Sequence, residues 1–111
     1  MTVYVDDMFA RKMGQLGRMK MSHMMADTED ELHAMADRLG LQRAWFQQVP
    51  SGDHYDVTIS ARKRAVTYGA VEVTMRELTA YAWHRRERGI ILPPWSALDV
   101  MRSTMLKGER T

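Results

Sequence analysis

The chain has 111 residues, the length of one domain and enough to build a real core without a staple. Its 45% hydrophobic and 27% charged residues are ordinary for a globular protein, and the lack of cysteine excludes disulfides, zinc–thiolate sites and thiol nucleophiles. The net charge of +2 is unevenly spread: residues 1–59 hold six Lys/Arg against nine Asp/Glu, and residues 60–111 hold ten against five.

In chain order, residues 3–6 (Val-Tyr-Val-Asp) are β-formers bounded by acids, and predict a first strand ending at Asp6 and Asp7. Residues 8–18 lack periodicity and read as a loop; Gly14 and Gly17 match no phosphate-loop pattern. Residues 19–26 predict a second strand. Alternation would put Met19, Met21, His23 and Met25 on one face and Lys20, Ser22, Met24 and Ala26 on the other. Thr28 and Glu31 form a capping box ahead of a helix with Leu32, Met35, Ala36 and Leu39 on its inner face. Gly40 stops that helix and Leu41 packs back behind it.

Residues 44–47 (Ala-Trp-Phe-Gln) predict a third strand, and residues 48–53, with Pro50 and Gly52, a loop. His54-Tyr55-Asp56 then reads as a turn before a second helix, from about Thr58 to Tyr68, that Gly69 ends. Residues 70–73 predict a fourth strand. Thr74 and Glu77 form a second capping box, opening a helix with Leu78, Tyr81 and Ala82 inside. After Gly89 and an extended stretch to Pro94, Ser96 is expected to cap a last helix carrying Leu98, Met101, Met105 and Leu106. The expected fold is therefore α/β: a small, mainly parallel or mixed four-stranded sheet with flanking helices and an extra C-terminal helix.

In such sheets ligands bind beyond the carboxyl ends of the strands. Those ends would hold Asp6, Asp7, Asp27, Gln47 and Gln48, the His54-Tyr55-Asp56 turn, and Thr74, with His23 half a strand back. His23 reads either as a core-edge histidine bonded to a neighbour or as a metal ligand or general base, because imidazole titrates near neutrality. His33 has Glu29 and Asp37 one turn away, so a surface ion pair competes with a site role. His54 lies two residues from Asp56, spaced to bind a metal or move a proton, although Asp56 also suits a cap or turn. His84, in Trp-His-Arg-Arg-Glu-Arg, is expected on an exposed helix face without a role. Thr58 and Arg62 stand at the start of the second helix, where free amides and positive charge suit a phosphate; a capped helix with a solvated basic face is the plainer account. No His-Glu-x-x-His, Walker or Gly-x-Ser-x-Gly motif occurs.

Tyr4-Val5-Asp6-Asp7, Ser22-His23, Ala26-Asp27, Glu31-Leu32-His33, Leu39-Gly40-Leu41, Trp45-Phe46, His54-Tyr55-Asp56, Arg62 and Gly69-Ala70 resemble a small bacterial and phage family catalogued as domain of unknown function 4031. The resemblance runs over about residues 2–78, and leaves 79–111 as a C-terminal helical extension. An aromatic residue usually precedes the Ser-His pair in that family and a Phe often follows His-Ala; here Met21 and Met35 keep the apolar bulk. The resemblance implies bacterial or phage origin and no reaction. It groups Asp6, His23, Asp27, His33, His54 and Asp56 as one set.

Two functions are expected. The first is binding of a small phosphorylated or nucleotide-like ligand, with metal-assisted hydrolysis: His23, His54 and Asp56 would be catalytic, and Asp6, Asp27, His33, Thr58 and Arg62 would hold the ligand or a divalent metal. The alternative is a non-enzymatic phage accessory protein that binds nucleic acid or a host defence protein through the basic second half. No apolar run nears the ~18 residues needed to span a membrane. The acidic start does not look like a signal peptide, which gives an expected cytoplasmic location. The methionine-rich last helix could also join copies of the chain.

Overall fold

The computed structural model describes residues 2–17 and 19–108. Strand β1 is Val3–Val5, β2 Gln15–Leu16, β3 Met19–Ala26, β4 Tyr55–Thr58 and β5 Val71–Glu72. The α-helices are α1 Glu29–Leu39, α2 Ile59–Thr67, α3 Met75–Arg88 and α4 Pro94–Gly108. The fold is α/β, with a mixed sheet and an added C-terminal helix.

β3 is the hub of the sheet. It pairs antiparallel with β1, β2 and β4, and β5 joins β1 in parallel. The antiparallel pairing of β1 with β3 goes with the absence of an α-helix among the described residues of 6–18 between them, since a parallel crossover usually runs through a helix, and with β2, which itself pairs antiparallel with β3. The segment after β1 is not a plain loop. It forms two short 3-10 turns, Met8–Ala10 and Lys12–Gly14, then the brief strand β2.

Alternation along the strands gives the sheet two buried faces. Val3, Val5, Met24, Ala26, Tyr55 and Val57 form one core with Leu32, Ala36 and Leu39 of α1 and Ala61 and Ala65 of α2. Tyr4 and Met25 point the other way, into a second core with Leu78, Tyr81 and Ala82 of α3 and Ala97 of α4. The molecule is thus a helix–sheet–helix sandwich.

The expected helix signals hold with adjustments. Thr28 accepts the Glu31 amide, but the Glu31 carboxylate takes the Thr28 hydroxyl and not the Thr28 amide, so half of the box forms. Thr74 and Glu77 make the full reciprocal box. Gly40 sits at φ 76, and the Leu41 amide reaches back to the Ala36 carbonyl.

Four expectations are corrected. Residues 44–47 do not form a strand: Arg43–Trp45 is a 3-10 turn, Trp45 is exposed, and only Gln47 bridges His54. His54-Tyr55-Asp56 is no turn: Tyr55 and Asp56 open β4, because Tyr55 and Val57 find β3 and a core to fill. The last helix starts at Pro94, whose fixed φ suits a first helical position, so Ser96 lies inside its first turn. His84 is not exposed but 1% accessible, and donates from Nε2 to the Ala97 carbonyl, joining α3 to α4. Leu98 and Met101 pack on the second core; the side chains of Met105 and Leu106 lie outside the described residues.

Candidate functional site

The site is built at the middle of the sheet, on the face covered by α3. β3 and β4 are in register with His23 opposite Asp56 and Met24 opposite Tyr55. Period-2 geometry therefore puts His23, Asp56 and the adjacent His54 on the α3 side, while Tyr55 goes to the other core. The two imidazole rings meet edge to face, with centroids 4.9 Å apart. One ligand atom from each of His23, His54 and Asp56 lies within 4.8 Å of the others.

Each imidazole is oriented by a group behind it. Asp6 follows β1 directly and is 1% exposed. Its Oδ1 accepts the Met8 and His23 amides at 3.1 and 2.9 Å, and its Oδ2 takes the His23 Nδ1–H at 2.7 Å. His54 donates Nδ1–H to the Gly52 carbonyl at 2.8 Å. Gly52 has φ 127, a conformation that L side chains rarely adopt, and a Cβ there would sit 2.9 Å from Met25 Cε. The glycine is what lets the loop turn its carbonyl onto the ring. Both acceptors lack protons, so in each neutral ring Nδ1 holds the hydrogen and Nε2 the lone pair.

His54 Nε2 faces Asp56 Oδ1 at 3.4 Å, an ionic contact and not a short hydrogen bond. Asp56 Oδ2 is fixed by Gln47 Nε2 at 2.8 Å. Burial opposes a charge on His54, but Asp56, the Gly52 carbonyl and Asp6 outweigh it and raise its pKa above the ordinary imidazole value. The His54 ring in turn holds Asp56 below the usual carboxylate range against desolvation, with help from Gln47. The pair therefore favours imidazolium beside carboxylate.

His23 and His54, with Asp6, line a pocket of about 140 Å³ together with Ser51, Thr79, Trp83 and Arg86; Asp56 stands behind His54 and not on its wall. A second groove of about 480 Å³ shares Met25 and Arg86 with it and adds Val49, Pro50, Asp53 and Arg85. Arg86 donates to the Pro50 carbonyl and to Glu87, and its Nη2 bonds none of the described residues.

The remaining expected residues lie elsewhere. Asp27, just past the end of β3, accepts the Tyr81 hydroxyl at 2.7 Å and the Thr2 amide at 3.0 Å. Burial first, and then this bond to Asp27, push the Tyr81 pKa far up, so the phenol stays a donor. His33 is on the opposite face of the sheet, between the Tyr55 hydroxyl at 2.7 Å and Glu29 at 3.1 Å, with Phe46 against its ring. It pairs with Glu29 as expected and not with Asp37, which meets Arg43. Thr58 caps α2 through the Ala61 amide. Arg62 is 7% exposed; its Nε donates to the Asp6 carbonyl at 2.7 Å and its Nη1 to Glu72 at 2.8 Å. Its donors thus brace the end of β1, behind Asp6.

Sequence reasoning missed Thr79, Trp83 and Arg86. The signal was present: Met75, Thr79, Trp83 and Arg86 recur at steps of four, four and three, one stripe of a helix. The apolar pattern of α3 drew the reading to its other, more buried stripe.

The chain belongs to the family described as "Protein of unknown function (DUF4031)", whose profile matches residues 3–85. The match takes in all of the His23, His54 and Asp56 cluster and most of α3, and stops one residue before Arg86. No curated protein and no solved structure matches the chain.

Proposed function

We propose that the chain binds a small phosphorylated or nucleotide-like compound between β3, β4 and α3, and hydrolyses it with His23, His54 and Asp56. The observation that carries this reading is the meeting of two oriented imidazoles, with Asp56 beside them, in the wall of a pocket that Arg86 also lines. A pocket of about 140 Å³ suits a phosphoryl group but not a whole nucleotide, for which sites typically run to about 300–1,000 Å³. The adjoining groove of about 480 Å³ supplies room for the rest. Arg86 stands where the two spaces meet, and a guanidinium there would offset the charge of the transferred group. The imidazoles would move the protons, one taking a proton from water and one supplying the leaving oxygen. The acids beyond this cluster, Asp27 above all, have structural partners and take no part.

The test is turnover and binding with a panel of phosphate monoesters and nucleotides, for the parent chain and for His23→Ala and His54→Ala. The expected result is loss of both in the two variants. Unchanged binding of every compound in the panel would remove the reading.

A second reading has its own support. Ile90, Ile91, Trp95 and Val100 are exposed at 43%, 52%, 48% and 41% around the α3–α4 turn, next to the basic end of α3. Such a surface favours an accessory protein with a protein partner over one bound to nucleic acid, whose affinity would fall steeply with salt.

A further inference from the structure

We infer that His23, His54 and Asp56 form a divalent transition-metal site of the zinc class, with Asp6, Gly52 and Gln47 as its outer shell. This rests on the choice of site made above and names the cation that site would hold; with Nε2 of each ring on the ion, water on that cation would take the place of the imidazoles in moving protons.

The hydrogens of the two rings are the first support. Asp6 and the Gly52 carbonyl can only accept, so they fix the hydrogen of each imidazole on Nδ1. That leaves both Nε2 atoms with free lone pairs, the one on His54 facing Asp56. A histidine ligand whose second nitrogen donates to a carboxylate or a backbone carbonyl is the usual support for a bound metal, because it fixes tautomer and ring orientation together. Here each ring has one of the two supports.

Distances give the second line. His54 Nε2 and Asp56 Oδ1 are 3.4 Å apart. In the metal-free protein a proton on His54 Nε2 bridges the pair; with that proton gone two acceptors face one another there, an arrangement that a metal ion between them satisfies. Metal–ligand bonds of about 2.0–2.1 Å in a tetrahedron separate ligand atoms by roughly 3.3 Å. The observed separation fits that edge. His23 completes the set within 4.8 Å.

The third line is asymmetry in Asp56. Gln47 holds Oδ2, which leaves Oδ1 as a single forward ligand. Three protein ligands leave a fourth position, facing the pocket lined by Ser51, Thr79 and Arg86. Structural zinc sites are closed by four protein ligands, whereas an open position is the mark of a site that takes water or substrate. Two imidazoles select zinc and its neighbours over magnesium and calcium, which prefer oxygen shells. A bound ion would lower the pKa of its water toward neutrality.

The test uses the full chain after chelator treatment, titrated with Zn²⁺ by calorimetry and with Co²⁺ by visible absorption. The expected result is one equivalent of Zn²⁺ and the intense visible bands of four-coordinate Co²⁺. His23→Ala and His54→Ala should abolish both. Gln47→Ala, which leaves every ligand in place, should weaken Zn²⁺ about 10–100-fold, the usual effect of losing an outer-shell partner. Circular dichroism of each variant separates a lost site from a lost fold. Absence of Co²⁺ bands, or Zn²⁺ affinity unchanged in folded His54→Ala, would overturn the inference. Inorganic phosphate separates this from the preceding reading. If Zn²⁺ binds and phosphate never does, the metal site stands and the phosphoryl reading falls. If phosphate binds equally with and without chelator, and Zn²⁺ is not bound, the metal site falls and the phosphoryl reading stands.

Discussion

Asp6→Asn is the substitution that separates support of the site from support of the fold. The new side chain has nearly the same shape. Its carbonyl oxygen can still accept the Met8 and His23 amides, at 3.1 and 2.9 Å in the parent. Its amide nitrogen then faces His23 Nδ1, where Oδ2 stood at 2.7 Å. An NH2 against an N–H is a clash of donors, and the ring escapes it by moving its hydrogen to Nε2. The lone pair then points at the new amide and away from the pocket. Three hydrogen bonds to a carboxylate, each about 1.5–3 kcal/mol, become neutral ones of about 0.5–1.5 kcal/mol, offset in part by the relief of a buried charge. The expected net loss is about 2–4 kcal/mol, a shift of about 1–2 M in the urea midpoint for a slope of about 2 kcal/mol/M. Nitrogen-15 correlation spectra of His23 read the tautomer directly, and a Zn²⁺ titration reads the site. The expected outcome is a folded protein with His23 as the Nε2–H tautomer and weakened Zn²⁺ binding. A folded variant in which His23 keeps its hydrogen on Nδ1 would refute it.

Gly52→Ala should destabilise by about 1–3 kcal/mol, since the residue must hold φ 127 and its Cβ meets Met25 Cε at 2.9 Å; thermal unfolding measures this, and the His54 Nδ1–H resonance should shift as the carbonyl leaves. Tyr55→Phe removes the His33 partner on the far face of the sheet and should lower stability by about 1 kcal/mol while leaving Zn²⁺ affinity at the pocket unchanged, which a parallel denaturation and titration would check. For chelator-treated protein, His54, raised in the fold, contributes fully below its unfolded pKa and loses that contribution as pH rises through the folded value. Asp56, lowered in the fold, contributes above its unfolded pKa and loses it as pH falls through the folded value. Both contributions are therefore whole near pH 5, and the thermal-midpoint advantage of the parent over Asp56→Asn should shrink from about pH 5 to about pH 8.5. An advantage that grows over that range would contradict the sign.

Local signals were legible because they depend on near neighbours. Thr28, Gly40, Thr58 and Thr74 mark helix ends through bonds spanning three or four residues, and the structure honours each. The eight-residue strand β3 was legible for the same reason: its two faces alternate in sequence. Strand β4 was not, because Tyr55-Asp56-Val57-Thr58 gains its pleated form from pairing with β3, more than thirty residues earlier. Trp45-Phe46 has the composition of a strand, yet finds no neighbour to pair with beyond the Gln47 bridge. Burial of His84 was hidden for a related reason. Arg85 and Arg86 follow it in sequence, and what meets it is Ala97 of a helix that follows a turn.

The site shows how a right grouping can follow from a wrong picture. Parallel strands would bring acids together along one rim, Asp6 and Asp27 included. The antiparallel pairing of β1 with β3 instead puts Thr2 beside Asp27 and Asp6 beside His23, at opposite ends of one short strand. The acids are thereby sorted: one supports an imidazole, and the other receives Tyr81. The sheet sorts the histidines by face. In β4, Tyr55 and Asp56 are adjacent, so their side chains must leave on opposite sides. His33 follows Tyr55 into one core, and His23 meets Asp56 over the other. What looked like one set of six is a group of four at the pocket, with Asp27 set apart on Tyr81 and His33 on the far face, the two faces coupled through the peptide unit between Tyr55 and Asp56. A change that moves Tyr55 will reach the pocket only if it moves the backbone of β4, which is why the Tyr55→Phe comparison discriminates between a local site and a sheet-wide one.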